Sequence, residues 1–436
     1  MNVAAQTGIA VASVLVLLGL MAVVRSQAKS YGLSPEVQRK LVHIGTGLYA
    51  LTLPWLFADR WPVFMLIGLT LIVMLILRLP GIAKGGLGET LHGVERQSYG
   101  DLLLALAVGT VFLLANDRTI LYVLPIAILT LADAAAALTG SRYGQKFFVV
   151  EDGRKSLEGS VAFFMITLIL SMICLLLLSD VPRANVILLS MIVAAFGTLV
   201  EADSWRGFDN FFLPAGLMVF LEIHLNTAPF DLLGLFLLFA LAIWGTQRIA
   251  KHVGLTPHAM RVYVITLFLL LTVTEWQNTI LPMLIFLAHA RGRHTNPSTS
   301  VYPELDIVAA LALTSFGWLA IGTLTNLNAV WFYGIGNLSL CLGFITLALT
   351  PRPLPVRLAL SGIAGVALLA LYHWLMMFNP AATAWHENIM PVAITAACLS
   401  LVIPTIRPAW FITGRAAKLT VLATLCPFLS YLWMIG

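Results

Sequence analysis

Charge is what this sequence has least of. Only 10% of its 436 residues are Asp, Glu, Lys or Arg, while 60% are hydrophobic; a soluble domain carries about 25% charged residues. That scarcity excludes a soluble core as the sink for so much apolar surface. Alternation of apolar and polar residues, the mark of strands in a membrane barrel, is also missing, so a barrel is excluded as well. Cysteine is rare: Cys174, Cys341, Cys398 and Cys426 lie inside apolar runs at no metal-ligand spacing, which leaves them as packing residues. No basic segment precedes the first apolar run, so it reads as a retained helix rather than a cleaved signal. The spacing GxxxxGK[ST] is absent, which excludes a Walker A phosphate loop.

What the chain has instead is apolar runs of spanning length: Ile9–Val24, Trp61–Leu77, Tyr122–Leu138, Val161–Leu178 and Leu232–Trp244 among them. A helical span needs roughly 20 apolar residues, and helices satisfy their own backbone hydrogen bonds in lipid. The expectation is an all-α, polytopic transmembrane helix bundle of about 14–15 spans. Spans are placed at 8–24, 41–58, 61–77, 99–115, 119–139, 160–178, 184–201, 210–224 and 231–247. Further spans are placed at 305–324, 329–349, 356–377, 390–406 and 417–434.

The connections alternate in charge. One set holds Arg25, Lys29, Arg39, Lys40, Arg78, Lys84, Arg96, Arg142, Lys146, Arg154, Lys155, Arg206, Arg248, Lys251 and Arg261; the other holds only Arg60, Arg118 and Arg183. By the positive-inside rule the rich side is cytoplasmic and the N-terminus lies outside. The net charge of +5 is thereby explained by topology, and no nucleic-acid partner is expected. Residues 262–290, broken by Glu275, Gln277 and Asn278, are read as a short helical hairpin. That keeps Arg291, Arg293, Arg352, Arg357, Arg407, Arg415 and Lys418 on the basic side.

Three connections on that side carry unusual chemistry. The first is RKLVHIGTG at 39–47, where Arg39 and His43 share a helix face. Arg39 and Lys40 read as snorkelling anchors, and His43 as structural or substrate-facing. The second is residues 131–160. Asp133 sits inside a span among alanines, where a carboxylate costs on the order of 3 kcal/mol; it is either paired to a structural cation or held where a metal will arrive. Gly140 and Gly144 follow, with Arg142, Lys146, Arg154 and Lys155 around them, a composition suited to phosphate or simply to a flexible basic loop. Ser156 and Gly159 open a helix whose backbone N–H groups can face an anion, and Glu158 suggests a metal or a hydrogen bond to a sugar or base. The third connection is 201–214. Glu201, Asp203 and Asp209, followed by Asn210, are hard oxygen donors of the kind that bridge Mg²⁺ to substrate phosphates; the alternative is a solvated acidic loop.

Together these stretches resemble the polyprenol kinase family, which includes dolichol kinase, phytol kinase and a CTP-dependent diacylglycerol kinase. The resemblance rests on Arg39-Lys40 with His43; on Asp133-Ala134 with Ala136, Gly140 and Gly144; on Lys155-Ser156 with Glu158-Gly159-Ser160; and on Glu201 with Asp209-Asn210 and Pro214. The ETLHGVERQSYG stretch at 89–100 occupies the place of a basic loop in that family. The resemblance covers about residues 30–225. It implies a CTP-dependent kinase of a membrane lipid alcohol, such as phytol, farnesol or geranylgeraniol, a dolichol-like polyprenol or diacylglycerol. It also implies a catalytic face in the cytoplasm. Asp133, Glu201 and Asp209 are then catalytic and hold Mg²⁺. Gly140, Arg142, Gly144, Lys146, Lys155, Ser156, Glu158, Gly159 and Asn210 bind the nucleotide, with Arg39, Lys40 and His43 on the substrate side.

Residues 1–225 are thus expected to form the catalytic membrane domain, and 226–436 an additional membrane domain of unassigned role. In the latter, Glu275, His289, His294, Glu304 and Asp306 could gather around the RGRHTNPSTS loop as a second polar site. Two other functions fit parts of the pattern. Phosphatidate cytidylyltransferases belong to the same wider superfamily, but their glycine-histidine loop is missing here. A transporter would also carry intramembrane carboxylates, yet the charged motifs cluster at one face and the halves show no inverted repeat.

Overall fold

The computed structural model describes residues 2–78, 99–150, 153–205, 207–253 and 255–435. Lys84, Arg96, Arg206 and most of the 89–100 stretch lie outside the described residues. The protein is 81% helical. Among the described residues nine helices are long and apolar enough to cross a membrane, and four shorter apolar helices accompany them. The all-α polytopic expectation holds.

The chain divides into two compact units, Met1–Leu238 and Phe239–Gly436. The first unit begins with α1 (Val3–Tyr31), α2 (Pro35–Leu51), the short α3 (Leu53–Leu56) and α4 (Trp61–Leu77). After these come α5 (Gly100–Leu114) and α6 (Thr119–Ala127), which runs through a π turn (Ile128–Ala132) into α7 (Asp133–Tyr143). A hairpin of β1 (Phe147–Val150) and β2 (Gly153–Ser156) precedes α8 (Leu157–Leu178), α9 (Arg183–Ala202) and α10 (Asp209–His224). The division between units falls within α11 (Pro229–Val253).

Local chemistry sets the ends of these helices. Ser34 caps α2, with Pro35 at the first helical position, so this helix starts six residues before the apolar run that betrays it. The α1 helix outlasts its apolar run and stops at Gly32, whose φ of 63° is left-handed. Ser156 accepts the Gly159 N–H and starts α8. Among the described residues the hairpin is the one piece of β structure: Phe147 pairs with Ser156 and Val150 with Gly153.

The two ends of the first unit separate by chemistry. At one end Gln6 bonds Asp59, Arg60 pairs with Asp117, and Arg118 with Glu222. At the other, Lys40 meets Asp133, Lys155 meets Glu201, Arg78 meets Asp101, and Asn210 meets Gly100. These are the ends to which alternating charge assigned them.

Close packing of α2 on the π turn depends on Gly47. A Cβ there would lie 2.1 Å from Thr130 Oγ1, and Thr130 is fully buried. Gly47→Ala is therefore expected to lower stability by about 1–3 kcal/mol despite alanine's better helix propensity. Gly19→Ala, with open space around it, should not. Thermal unfolding of both purified variants checks this.

In the second unit, the stretch 262–290 breaks as expected into α12 (Pro257–Val273) and α13 (Ile280–Gly292), joined by a short 3₁₀ turn (Trp276–Thr279). The unit continues with α14 (Pro303–Thr325), α15 (Val330–Ala348), α16 (Leu354–Met377), α17 (Met390–Ile406) and α18 (Arg415–Ile435). α15 is its core: it packs against α13, α14, α16, α17 and α18, and its buried Asn337 bonds Ser315 and the Tyr333 carbonyl.

Candidate active site

A cavity of about 470 Å³ opens in the first unit where the charged ends of α2, α7, β2, α9 and α10 meet. It is lined there by Arg39, Lys40, His43, Asp101, Asp133, Arg154, Lys155, Glu201 and Asp209. The same cavity continues between apolar side chains of α1 to α5, including Leu17, Val42, Leu53, Leu66, Leu104 and Val108. A polar mouth and an apolar channel are one space.

Two ion pairs organise the mouth, one buried and one half-buried. Lys40 Nζ donates to both Asp133 oxygens at 2.8 and 2.7 Å, with Lys40 8% and Asp133 4% exposed. Lys40 is thus not the snorkelling anchor its position suggested; it is turned inward to neutralise a carboxylate. Lys155 Nζ donates to Glu201 Oε1 at 2.5 Å and to the Glu201 carbonyl at 2.9 Å. Burial pushes the Lys155 ammonium down, but the Glu201 and Asp209 charges outweigh burial and raise it above its ordinary 10.5. The part of this stability that depends on the Lys155 charge is therefore present at neutral pH and is lost as pH rises through the raised value. Denaturation midpoints of wild type and Lys155→Met should converge only above pH 10.5.

His43 lies one turn beyond Lys40. Its Nε2 is 3.1 Å from the Leu129 carbonyl in the π turn and 3.5 Å from Asp133 Oδ2. A carbonyl only accepts, so Nε2 carries the proton and a neutral ring keeps Nδ1 as an acceptor. Asp209 is half-buried at the start of α10, and among the described residues its carboxylate makes no ion pair and accepts no hydrogen bond.

Not every residue expected at the site reaches it. Gly140, Lys155, Ser156, Gly159 and Asn210 line the cavity; Arg142, Gly144, Lys146 and Glu158 do not. Glu158 accepts the Lys146 N–H at 3.1 Å, which fastens the hairpin to α8. Arg142 is exposed and stacks over Tyr143. Gly140 and Gly159 serve helix packing as well: a Cβ on Gly159 would meet the Ala136 carbonyl at 2.9 Å, and one on Gly140 the Ser156 hydroxyl at 2.6 Å. Asn210 Nδ2 donates to the Gly100 carbonyl at 2.7 Å, tying α10 to α5. Arg39 lines the cavity and is itself engaged.

Asp101, Ser204 and Trp205 were missed, and all line the mouth, as does Arg154, which the sequence placed among the basic residues of its loop. Asp101 pairs with Arg78, and Arg154 lies 5.1 Å over the Phe147 ring. Asp101 begins a helix directly after the 89–100 stretch, which is the signal that could have found it.

Among the described residues no group of three His, Cys, Asp or Glu side chains is placed to hold a metal. Asp133 has both oxygens committed to Lys40, so a three-carboxylate cage is not what this site offers. Mg²⁺ commonly keeps several waters and takes one or two carboxylates beside substrate phosphates. Asp209 and the second Glu201 oxygen fit that narrower requirement.

In the second unit, Glu304 is bound by Arg293 at 2.8 Å and lies 3.8 Å from His289. Asp306 accepts from Ser300, His294 meets Arg293, and Glu275 sits at the α12–α13 break. All but Glu275 brace the 292–306 connection, and among the described residues they do not gather into one metal-binding group.

Over 204 residues the chain is 29% identical to the phytol kinase of Synechocystis sp., an alignment covering 46% of this chain and 84% of that protein. No family model matches the chain, and no solved structure matches it.

Proposed function

We propose that this protein is a kinase of a membrane lipid alcohol, with CTP as the phosphate donor. The observation that carries the reading is the single cavity that joins two lysine–carboxylate pairs to an apolar channel between membrane helices. A lipid alcohol is the substrate with that shape, a hydroxyl at the charged end and a hydrocarbon tail behind it. Similarity to a phytol kinase supports the same class, whereas the preference for CTP rests on the motif resemblance alone.

In this reading the nucleotide enters from the basic, cytoplasmic side. Lys155, Arg154 and the start of α8 meet its phosphates through charge and backbone N–H groups. Asp209 and Glu201 would hold Mg²⁺, which would supply neutralisation of phosphate charge. Phosphoryl transfer asks chiefly for positioning and charge stabilisation, and the paired lysines provide both without leaving a carboxylate bare in the interior. The alcohol's proton passes to one of the two acceptors left open, His43 Nδ1 or Asp209. His43→Gln keeps a donor for the Leu129 carbonyl and removes the acceptor. If His43 is the base, kcat should fall by about 10²–10⁴ with KM for the alcohol little changed; if Asp209 is, kcat should survive.

Labelled CTP tests the whole reading. With label in the γ-phosphate, the purified protein should transfer radioactivity to a lipid extract supplied with phytol, farnesol, polyprenol or diacylglycerol, and excess ATP should compete poorly. Transfer from the α-phosphate would instead identify a cytidylyltransferase, and no transfer of either label would remove the kinase.

A further inference from the structure

We infer that Tyr49, Leu53 and Val108 form the floor of the tail channel and set the longest alcohol tail the site accepts. The inference rests on the lipid-alcohol reading and adds to it which residues measure the substrate.

The channel can be followed along its helices. On α2 and α3 the lining residues run from Lys40 and His43 through Tyr49 to Leu53. His43 and Leu53 are ten positions apart, about 15 Å of helix rise. On α5 they run from Asp101 to Val108, about 10 Å. α4 supplies the facing wall between Met74 and Leu66. Charge is confined to the first turn of this path, and everything deeper is apolar except Thr46, Thr70 and the Tyr49 ring.

The path then ends. Phe57, Val63 and Val111, about one turn further on the same elements, are buried and do not line the cavity. Leu53 is 1% and Val108 3% exposed, so neither can swing aside into open space. The last side is closed by a polar contact: Tyr49 donates its hydroxyl to Ser13 on α1, and the buried Ser13 donates in turn to the Ile9 carbonyl. With Ser13 buried, that bond holds the half-buried Tyr49 ring at the channel wall. Because the cavity is continuous from Asp209 to this floor, its occupant is the tail of the molecule whose hydroxyl is phosphorylated. A tail longer than the channel meets a packed wall.

Variants at the floor move the limit in opposite directions. Val108→Phe fills the channel, and Leu53→Ala and Tyr49→Ala deepen it. The full chain, purified into lipid nanodiscs, is assayed with geraniol, farnesol, phytol and a long polyprenol, reading kcat/KM for each. Val108→Phe should lower the phytol-to-geraniol ratio by about tenfold or more. Leu53→Ala or Tyr49→Ala should raise the ratio of the longest alcohol to farnesol by a similar factor. If Val108→Phe does not fold, the two deepening variants still carry the test. Ratios that stay at the wild-type value in every folded variant, with label still reaching the lipids, would overturn the floor. A wild-type protein that labels no alcohol would overturn the kinase reading and leave the channel without its occupant.

Discussion

Asp209→Asn should abolish transfer while leaving the protein folded. Among the described residues its carboxylate makes no ion pair and accepts no hydrogen bond, so exchanging one oxygen for an amide breaks no direct bond and removes only part of the negative charge that faces Lys155. What disappears is an anionic oxygen facing the cavity, available to a metal or to the alcohol proton. Loss of such a group costs typically about 10²–10⁴ in rate. The measurement is kcat alongside a melting temperature in the same detergent; a folded variant with wild-type kcat would remove Asp209 from the chemistry.

Asp133→Asn should behave differently, although both carboxylates read alike from their motifs. Asp133 neutralises a buried ammonium through two short bonds. Taking its charge away strands Lys40 in a place where an unpaired cation is costly, and breaking such a pair from one side destabilises by about 3–5 kcal/mol. Removing both partners in Lys40→Met with Asp133→Leu should restore most of that stability but no activity. A single asparagine variant that unfolds like wild type would show that the pair contributes nothing to the fold.

The contrast shows how far residue patterns reach. Runs such as Trp61–Leu77 correspond to α4 residue for residue, because burial in lipid is written directly as apolar length. Sidedness was legible for the same reason: Arg118 and Lys155 ended at opposite poles of the unit, as their loops required. The convergence of Asp133, Glu201 and Asp209 on one cavity also followed from placing their loops on one side. Partners were not legible. Nothing around Lys40 distinguishes an ammonium that snorkels from one that turns inward, since the choice depends on α7, ninety residues away in sequence. Glu158 had the opposite problem: a motif position suggested a ligand, while the backbone of Lys146 lay nearer. The hairpin did carry a signal, β-prone FFVV followed closely by a glycine, Gly153. It was hidden by the helical character of everything around it. Trp205 needed the cavity to be seen at all.

The π turn at Ile128–Ala132 makes one span different from its neighbours in how it would respond to a change of length. A π turn holds about one residue more than an α turn. Deleting Leu129 would let the segment relax to ordinary helical winding, with Asp133 still facing Lys40. The same deletion in α8 or α9 would swing every later side chain by about 100°. The shortened span would keep its ion pair but lose the carbonyl that orients His43. Register and ring orientation, which a substitution rarely separates, come apart here through a single missing residue.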